Sequence, residues 1–216
     1  YYFFFFLYLE IVLHWACYQS VSFSFLLMAF LFTIPFAILF GMLCSFFKKE
    51  RINGILFKVI TTFFIILYLS EMIYYQIYNS FFSYQGLLFL SAVKDGFDKV
   101  FQTIVENIGF VILFLLPLGF IYSKHTKYLK RLESLECFAF ACFFILFQLF
   151  PTFIISYSDK DDFYSMYHLY YHLNVPLFNV ENFGFLTSTR MSLQRELFGF
   201  QEQVPESEDI LNNDST

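Results

Sequence analysis

The chain has 216 residues, of which 58% are hydrophobic and 14% are charged, and its formal net charge is −5. A soluble domain is closer to half apolar and a quarter charged, so this composition excludes an ordinary soluble domain and indicates a membrane protein. Nucleic-acid binding has no support either, because the basic residues form only two short clusters. The apolar excess is concentrated in residues 1–157, whereas residues 158–216 have an ordinary polar composition.

Five apolar stretches have the length, or nearly the length, that crosses a bilayer core, which takes about 20 residues. They comprise residues 1 to about 17, 23–47, 55–78, about 107–122 and 135–157. Pro35 and Gly41 are expected to kink the second stretch, and Pro117 to interrupt the fourth. Because Tyr1 already lies in an apolar run, we expect the first span to lack its start. The prediction is an all-α, polytopic membrane domain with about five transmembrane helices.

Charges between the spans predict how the domain is oriented. Eight basic residues fall after spans 2 and 4 or at the start of span 3, namely Lys48, Lys49, Arg51, Lys58, Lys124, Lys127, Lys130 and Arg131. Short loops rich in Lys and Arg stay in the cytoplasm. We therefore expect a cytoplasmic N-terminus, an outer loop over residues 80–106, and an extracellular segment after residue 157.

Ionisable side chains gather in the predicted outer half of the membrane. Glu71 lies about 24 Å along a helix that starts near Ile55, and Tyr74 and Tyr75 follow it as part of an interfacial belt. Glu10 and His14 are four residues apart and share a helical face in the same half. The five residues form a candidate outer-leaflet polar cluster. It can join spans 1 and 3 by hydrogen bonds, or bind lipid headgroups or an outer domain.

The loop between spans 3 and 4 predicts an amphipathic helix. Its apolar face comprises Val93, Phe97, Val100, Phe101, Ile104 and Ile108. Its polar face comprises Asp95, Asp98, Lys99, Gln102 and Glu106. Such a helix either lies in the outer interface or packs its apolar face on the spans.

Two further helices are predicted in residues 158–200, outside the membrane. His168 and His172 have the i, i+4 spacing of metal ligands, but "HLYYH" lacks the glutamate of HExxH, so an aromatic interfacial helix is the favoured interpretation and no metal site is predicted. In residues 179–200, Arg190 and Arg195 are candidate headgroup contacts. The alternative, which we favour, is a solvated connecting helix with Arg195 beside Glu196.

Residues 201–216, "QEQVPESEDILNNDST", are polar and acidic. Low hydrophobicity and high negative charge are typical of a flexible linker. We expect this linker to lead to an extracellular domain that is missing from the chain.

Three stretches carry a resemblance to a known family. They are "EMIYYQIYNSF" from Glu71, "LLPLGF" from Leu115 and "VENFGFLTSTRMSLQRELFGF" from Val180. With the predicted layout, they resemble the membrane half of the lipoteichoic acid synthase family, the sulfatase-like phosphoglycerol transferases of Gram-positive bacteria.

The resemblance implies the membrane anchor of a cell-wall biogenesis enzyme in a bacterial cell membrane. In that family a separate extracellular domain uses a threonine nucleophile and a divalent metal, manganese or magnesium, to transfer glycerol phosphate from phosphatidylglycerol. Thr187 and Thr189 have no metal-ligand cluster around them, so we assign no catalytic residue to this chain. Phosphoethanolamine transferases have a similar layout, in which about five spans precede an extracellular domain of this kind. The alternative from another class is a non-enzymatic membrane protein, such as a transporter subunit or an assembly partner.

Overall fold

The computed structural model describes residues 1–82, 97–122, 132–158 and 164–199. Within these ranges the chain is helical and contains no strand. The helices are α1 (Tyr2–Tyr18), α2 (Phe23–Cys44), α3 (Glu50–Tyr78), α4 (Phe97–Glu106), α5 (Ile108–Ile121), α6 (Ser134–Ser156), α7 (Met166–Tyr171), α8 (Pro176–Phe183) and α9 (Phe185–Phe198).

Helix α1 lies at the centre of the bundle, where it packs against α2, α3, α5 and α8. Phe6, Leu9 and Leu13 are at most 1% exposed, although the sequence of α1 is apolar on every side. Helix α6 is peripheral and packs mainly on α2, so most of its apolar side chains remain exposed. A helix that is hydrophobic all round and yet exposed fits a lipid environment.

The described residues contain three helices that are long and apolar enough to cross a membrane, namely α2, α3 and α6. The number rises to four if α4 and α5 together form one span, although these two helices meet at an angle of 81°. Five spans are therefore not confirmed. The predicted fourth span falls on α5, whose 14 residues extend only about 21 Å, short of a bilayer core of about 30 Å. Helix α1 is a shorter apolar helix.

The prediction that Pro117 interrupts the fourth span is wrong. Helix α5 continues through Pro117, and the break lies instead before it, at Asn107. A proline inside a helix deprives the carbonyl four residues earlier of its donor, which here is the carbonyl of Leu113. The hydroxyl of Tyr8, from α1, donates to that carbonyl at 2.9 Å. A neighbouring helix thus satisfies the group that the proline leaves unpaired.

Helix α4 occupies part of the stretch that predicts an amphipathic helix; Val93 and Asp95 lie outside the described residues. It packs on α3, with Thr103 buried and Ile104 against the core. Phe101 is 70% exposed and does not join this contact. The sequence leaves two placements open for this helix, in the outer interface or packed on the spans. Helix α4 packs on the spans, but only through part of its apolar face.

The two ends of the bundle differ in charge. At one end Lys58 lies over the ring of Tyr122, 5.1 Å from its centroid, and the Leu132 amide donates to the Ser45 carbonyl at 3.4 Å. This end also carries Lys48, Lys49 and Arg51. At the other end the side chain of Gln76 donates to the Ala16 carbonyl at 2.9 Å, and Tyr18 donates to the Leu177 carbonyl at 2.7 Å. Segments predicted to share one side of the membrane thus meet at one end.

Candidate functional site

A buried carboxyl group in the centre of the bundle holds the start of α9. Glu10 is 3% exposed, and both of its oxygens accept hydrogen bonds. Its Oε1 accepts from the hydroxyl of Tyr68 and from the Leu186 amide, each at 2.8 Å, and its Oε2 accepts from the Phe185 amide at 2.7 Å. One side chain therefore joins α1, α3 and α9.

Gly184 makes this approach possible. It separates α8 from α9 and has a φ of +84°, a conformation that residues with a Cβ rarely adopt. A Cβ at this position would lie 2.8 Å from Oε2 of Glu10. The amide of Gly184 still donates to the Val180 carbonyl, and its carbonyl still accepts from Ser188, each at 3.0 Å. The chain thus turns sharply against the carboxyl group without losing these two backbone hydrogen bonds.

We call Glu10, Tyr68, Gly184, Phe185 and Leu186 the Glu10 dock. The first amides of a helix lack partners within the helix and carry its positive dipole end, so a carboxyl group is a favourable cap. Three donors already occupy the two oxygens of Glu10. The arrangement therefore suits positioning of α9 rather than proton transfer to a substrate.

The end of α1 makes further contacts with α8. Nδ1 of His14 lies 2.9 Å from the Ser20 carbonyl oxygen, and Nε2 lies 3.3 Å from that of Glu181. The imidazole also stacks on Phe25 at a centroid distance of 3.7 Å. With the Tyr18 bond to α8, these contacts attach α8 to the same half of α1 that carries Glu10.

Glu71, Tyr74 and Tyr75 belong to a separate set of contacts at the end of α3. Oε2 of Glu71 accepts from the amide of Phe82 at 3.2 Å, so this buried carboxyl group holds the turn that follows α3. Tyr75 packs on Phe81, with ring centroids 5.0 Å apart, and Tyr74 packs on Tyr78 at 4.7 Å. The five residues of the predicted cluster thus divide into one group that docks α8 and α9 and another that fixes a turn, and the rings of Tyr18 and Tyr75, 5.8 Å apart, connect the two groups.

Arg190 and Arg195, the two candidate headgroup contacts, line a cavity of about 390 Å³ between α6, α7 and α9. Arg190 donates from Nη2 to the hydroxyl of Tyr170 at 2.8 Å and from Nη1 to Oε1 of Gln194 at 3.2 Å. Arg195 donates from Nη2 to the Leu169 and Tyr170 carbonyls at 3.1 and 2.9 Å. Arg195 therefore caps the end of α7 and is more than a solvated charge.

His168 and His172 lie at the end of α7 with ring centroids 5.6 Å apart, among the rings of Tyr167 and Tyr171. Over the described ranges, no group of three or more His, Cys, Asp or Glu side chains is arranged to hold a metal ion. Thr187 is buried in α9. The ring contacts of His168 and His172 with Tyr167 and Tyr171 match the aromatic helix that the sequence favours.

Sequence reasoning missed Tyr68, the roles of Gly184 and Leu186, and Tyr170. Tyr68 lies in a continuous apolar run, where nothing distinguishes it from a lipid-facing tyrosine. The sequence predicts no contact for Gly184. The signal that could have identified it is a glycine between two phenylalanines in "NFGFL", since glycine often marks a close approach of the backbone to another group.

No protein-family model, no curated protein and no solved structure matches this chain.

Proposed function

We propose that this chain is a membrane anchor that holds a segment at the outer face, α7 to α9, in a fixed position on its transmembrane helices. The Glu10 dock carries this proposal. A carboxyl group is expensive inside a bilayer, and a role that engages both of its oxygens explains its presence there. Helix α1, which extends about 26 Å, would serve as a further span.

The packing around the dock supports a fixed position and not a loose tether. Asn179, Val180, Phe183 and Phe185 are at most 4% exposed, although they lie in the segment predicted to be an outer linker. The N-terminus of α9 reaches Glu10, eight residues before the end of α1, which corresponds to a depth of about 12 Å. Backbone is tolerated at such a depth only where protein surrounds it, as here.

A finer form of the proposal follows the resemblance in sequence. In it, the chain is the membrane part of a phosphoglycerol transferase like those of the lipoteichoic acid synthase family, in a Gram-positive cell membrane, with its N-terminus in the cytoplasm. The outer-leaflet substrate would be phosphatidylglycerol, and the nucleophile and its divalent metal would be contributed by an extracellular domain. A rigid platform would hold that domain at a set height above the lipid, which provides proximity.

Hydrogen exchange tests the anchoring role. Glu10→Gln puts an NH2 donor where an oxygen now accepts, so one backbone donor loses its partner. We expect the amides of Phe185 and Leu186 to exchange about tenfold faster in the purified chain, while protection of α2 and α3 is unchanged. Glu50→Gln, at an exposed position in α3, is the matched control. If α9 kept its full protection in Glu10→Gln, the dock would not hold it and the proposal would fail.

A chimera tests the finer form. This chain would replace the membrane part of a lipoteichoic acid synthase, and the glycerol phosphate polymer on the membrane would be measured. We expect polymer from the chimera and none from the same chimera when Gly184→Ala disrupts the dock. A chimera that inserts and stays folded but makes no polymer would contradict the transferase assignment, while the anchoring role would stand on the exchange data.

The alternative of a transporter subunit must account for the same break between α8 and α9. Transporters place half-helix ends at a substrate or ion site near the middle of the membrane. Here the broken end faces Glu10, and a Cβ on Gly184 would already lie within 3.3 Å of both carboxyl oxygens. This close contact leaves no room for a transported ion between them, which favours the anchor.

A further inference from the structure

We propose that the cavity between α6, α7 and α9 binds the phosphate of an anionic lipid through Arg190. This inference rests on the membrane placement in the proposed function, but not on the Glu10 dock. We call the cavity the Arg190 cavity; it is lined by Gln148, Leu149, Thr152, Tyr170, Tyr171, Arg190, Met191, Gln194, Arg195, Phe198 and Gly199.

The charge of the lining favours an anion. The Arg190 cavity is lined by two guanidinium groups, two primary amides and three hydroxyl groups, and the described residues contribute no carboxyl group to it. A tyrosine hydroxyl is already protonated at neutral pH, and burial raises the pKa of Tyr171 further above its ordinary value. A cavity of about 390 Å³ has room for a phosphate group and part of a headgroup.

Arg190 is a cation whose hydrogen-bond partners among the described residues are neutral. Within the described part of the chain no carboxyl group forms an ion pair with it, and its Nε is buried without a hydrogen-bond partner. Its other two nitrogens bond only to the neutral groups of Tyr170 and Gln194. A partly buried cation with neutral partners is costly, and a phosphate is one of the two anionic groups with which a guanidinium forms strong bidentate hydrogen bonds.

The position of the cavity points to a lipid. Gln148 and Thr152 lie about 12 and 6 Å before the end of α6 at Ser156, a depth at which lipid phosphates and glycerol groups lie if this end is the outer one. Leu149 and Phe198, which are 60% and 83% exposed, form an apolar wall beside the arginine. A polar cavity with an apolar wall suits a ligand whose phosphate is attached to acyl chains.

Native mass spectrometry of the purified chain in micelles tests the proposal. We expect the chain to retain phosphatidylglycerol in preference to phosphatidylcholine, and Arg190→Gln to weaken that retention by about tenfold. Arg51→Gln removes the same charge at the opposite end of the bundle and should have no such effect. Equal retention by the wild type and both variants would overturn the proposal.

Arg190→Lys covers the case in which Arg190→Gln does not fold. It keeps the charge but loses the planar fork, so phosphatidylglycerol retention should fall, whereas Arg51→Lys should leave it unchanged. Equal retention by these two variants would also overturn the proposal. Inorganic phosphate, added as a competitor, separates the two sources of the ligand. Displacement of phosphatidylglycerol by millimolar phosphate would overturn the lipid assignment in favour of a free phosphate, and retention of the lipid supports it.

Hydrogen exchange of Phe185 and Leu186 in the same samples separates the two proposals. A wild-type chain that shows no preference for phosphatidylglycerol while these amides stay protected would count against the Arg190 cavity alone. Fast exchange of these amides in the wild type counts against the Glu10 dock.

Discussion

Gly184 is the residue whose replacement most directly tests the join between the bundle and α9. Gly184→Ala would force a side chain into a positive φ and place its Cβ 2.8 Å from Oε2 of Glu10. We expect the variant to lose about 1–3 kcal/mol of stability, because the strain and the contact must be relieved by moving α9 away from Glu10. Thermal unfolding of the purified chain in micelles measures the change.

Gly119→Ala is the matched control for that substitution. A Cβ on Gly119, in α5, would meet no atom within 4 Å, and alanine is the better helix former by roughly 0.5–1 kcal/mol. The control should therefore be neutral or slightly stabilising. Equal effects of the two substitutions would show that Glu10 and Gly184 are not in close contact.

At the residue scale, the sequence predicted that Glu10 matters but not which group it binds. A carboxyl group in an apolar run stands out, because its burial needs partners. Its partners are two backbone amides 175 and 176 positions away and a tyrosine 58 positions away. Nothing in the sequence distinguishes these amides from other backbone amides, or this tyrosine from other tyrosines in apolar runs. A contact over such a separation depends on how the helices pack, and periodicity within one helix does not report it.

At the scale of elements, Tyr8 explains why α5 survives its proline. Tyr8→Phe removes the donor to the Leu113 carbonyl, which Pro117 has already deprived of its helical partner. We expect a loss of about 1–2 kcal/mol in the free energy of unfolding and faster amide exchange in α5. Thermal unfolding and hydrogen exchange of the purified chain give the two readings.

The companion substitution is Tyr78→Phe, at an exposed position near the end of α3. It removes the same hydroxyl group from a ring at the surface, so stability should change by less than about 0.5 kcal/mol. If the two variants unfolded at the same temperature, the bond from Tyr8 would contribute nothing, and another group would have to satisfy the Leu113 carbonyl.

The helices were easier to predict from the sequence than the breaks between them. Apolar run length alone located α2, α3 and α6, because a helix that crosses lipid must be long and nearly free of charge. Pro117 did not predict the position of the break. The destabilisation that a proline causes in a helix depends on whether a neighbouring group donates a hydrogen bond to the carbonyl that the proline leaves unpaired. The bend at Asn107 lies between an amphipathic and an apolar segment, and its angle depends on how both pack against the rest of the bundle.

At the scale of the whole molecule, the charge difference between the two ends and the paths of the helices agree with one orientation. Lys58 and Tyr122 bring the start of α3 and the end of α5 to one end, and Leu132 and Ser45 bring α6 to it. The opposite end holds the end of α1 and the helices α7 to α9. Since basic loops stay in the cytoplasm, Arg190 and Glu196 should lie outside and Lys49 inside.

Labelling with a membrane-impermeant maleimide tests that orientation. The four native cysteines would first be replaced by alanine, and single cysteines introduced as Lys49→Cys and Glu196→Cys, both at exposed positions. We expect Glu196→Cys to be labelled in intact cells and Lys49→Cys only after the membrane is opened. The reverse pattern would place the Arg190 cavity in the inner leaflet, where the finer proposal cannot hold. Labelling of both sites in intact cells would mean that the three segments α3, α4–α5 and α6 do not all cross the bilayer, which would contradict this orientation.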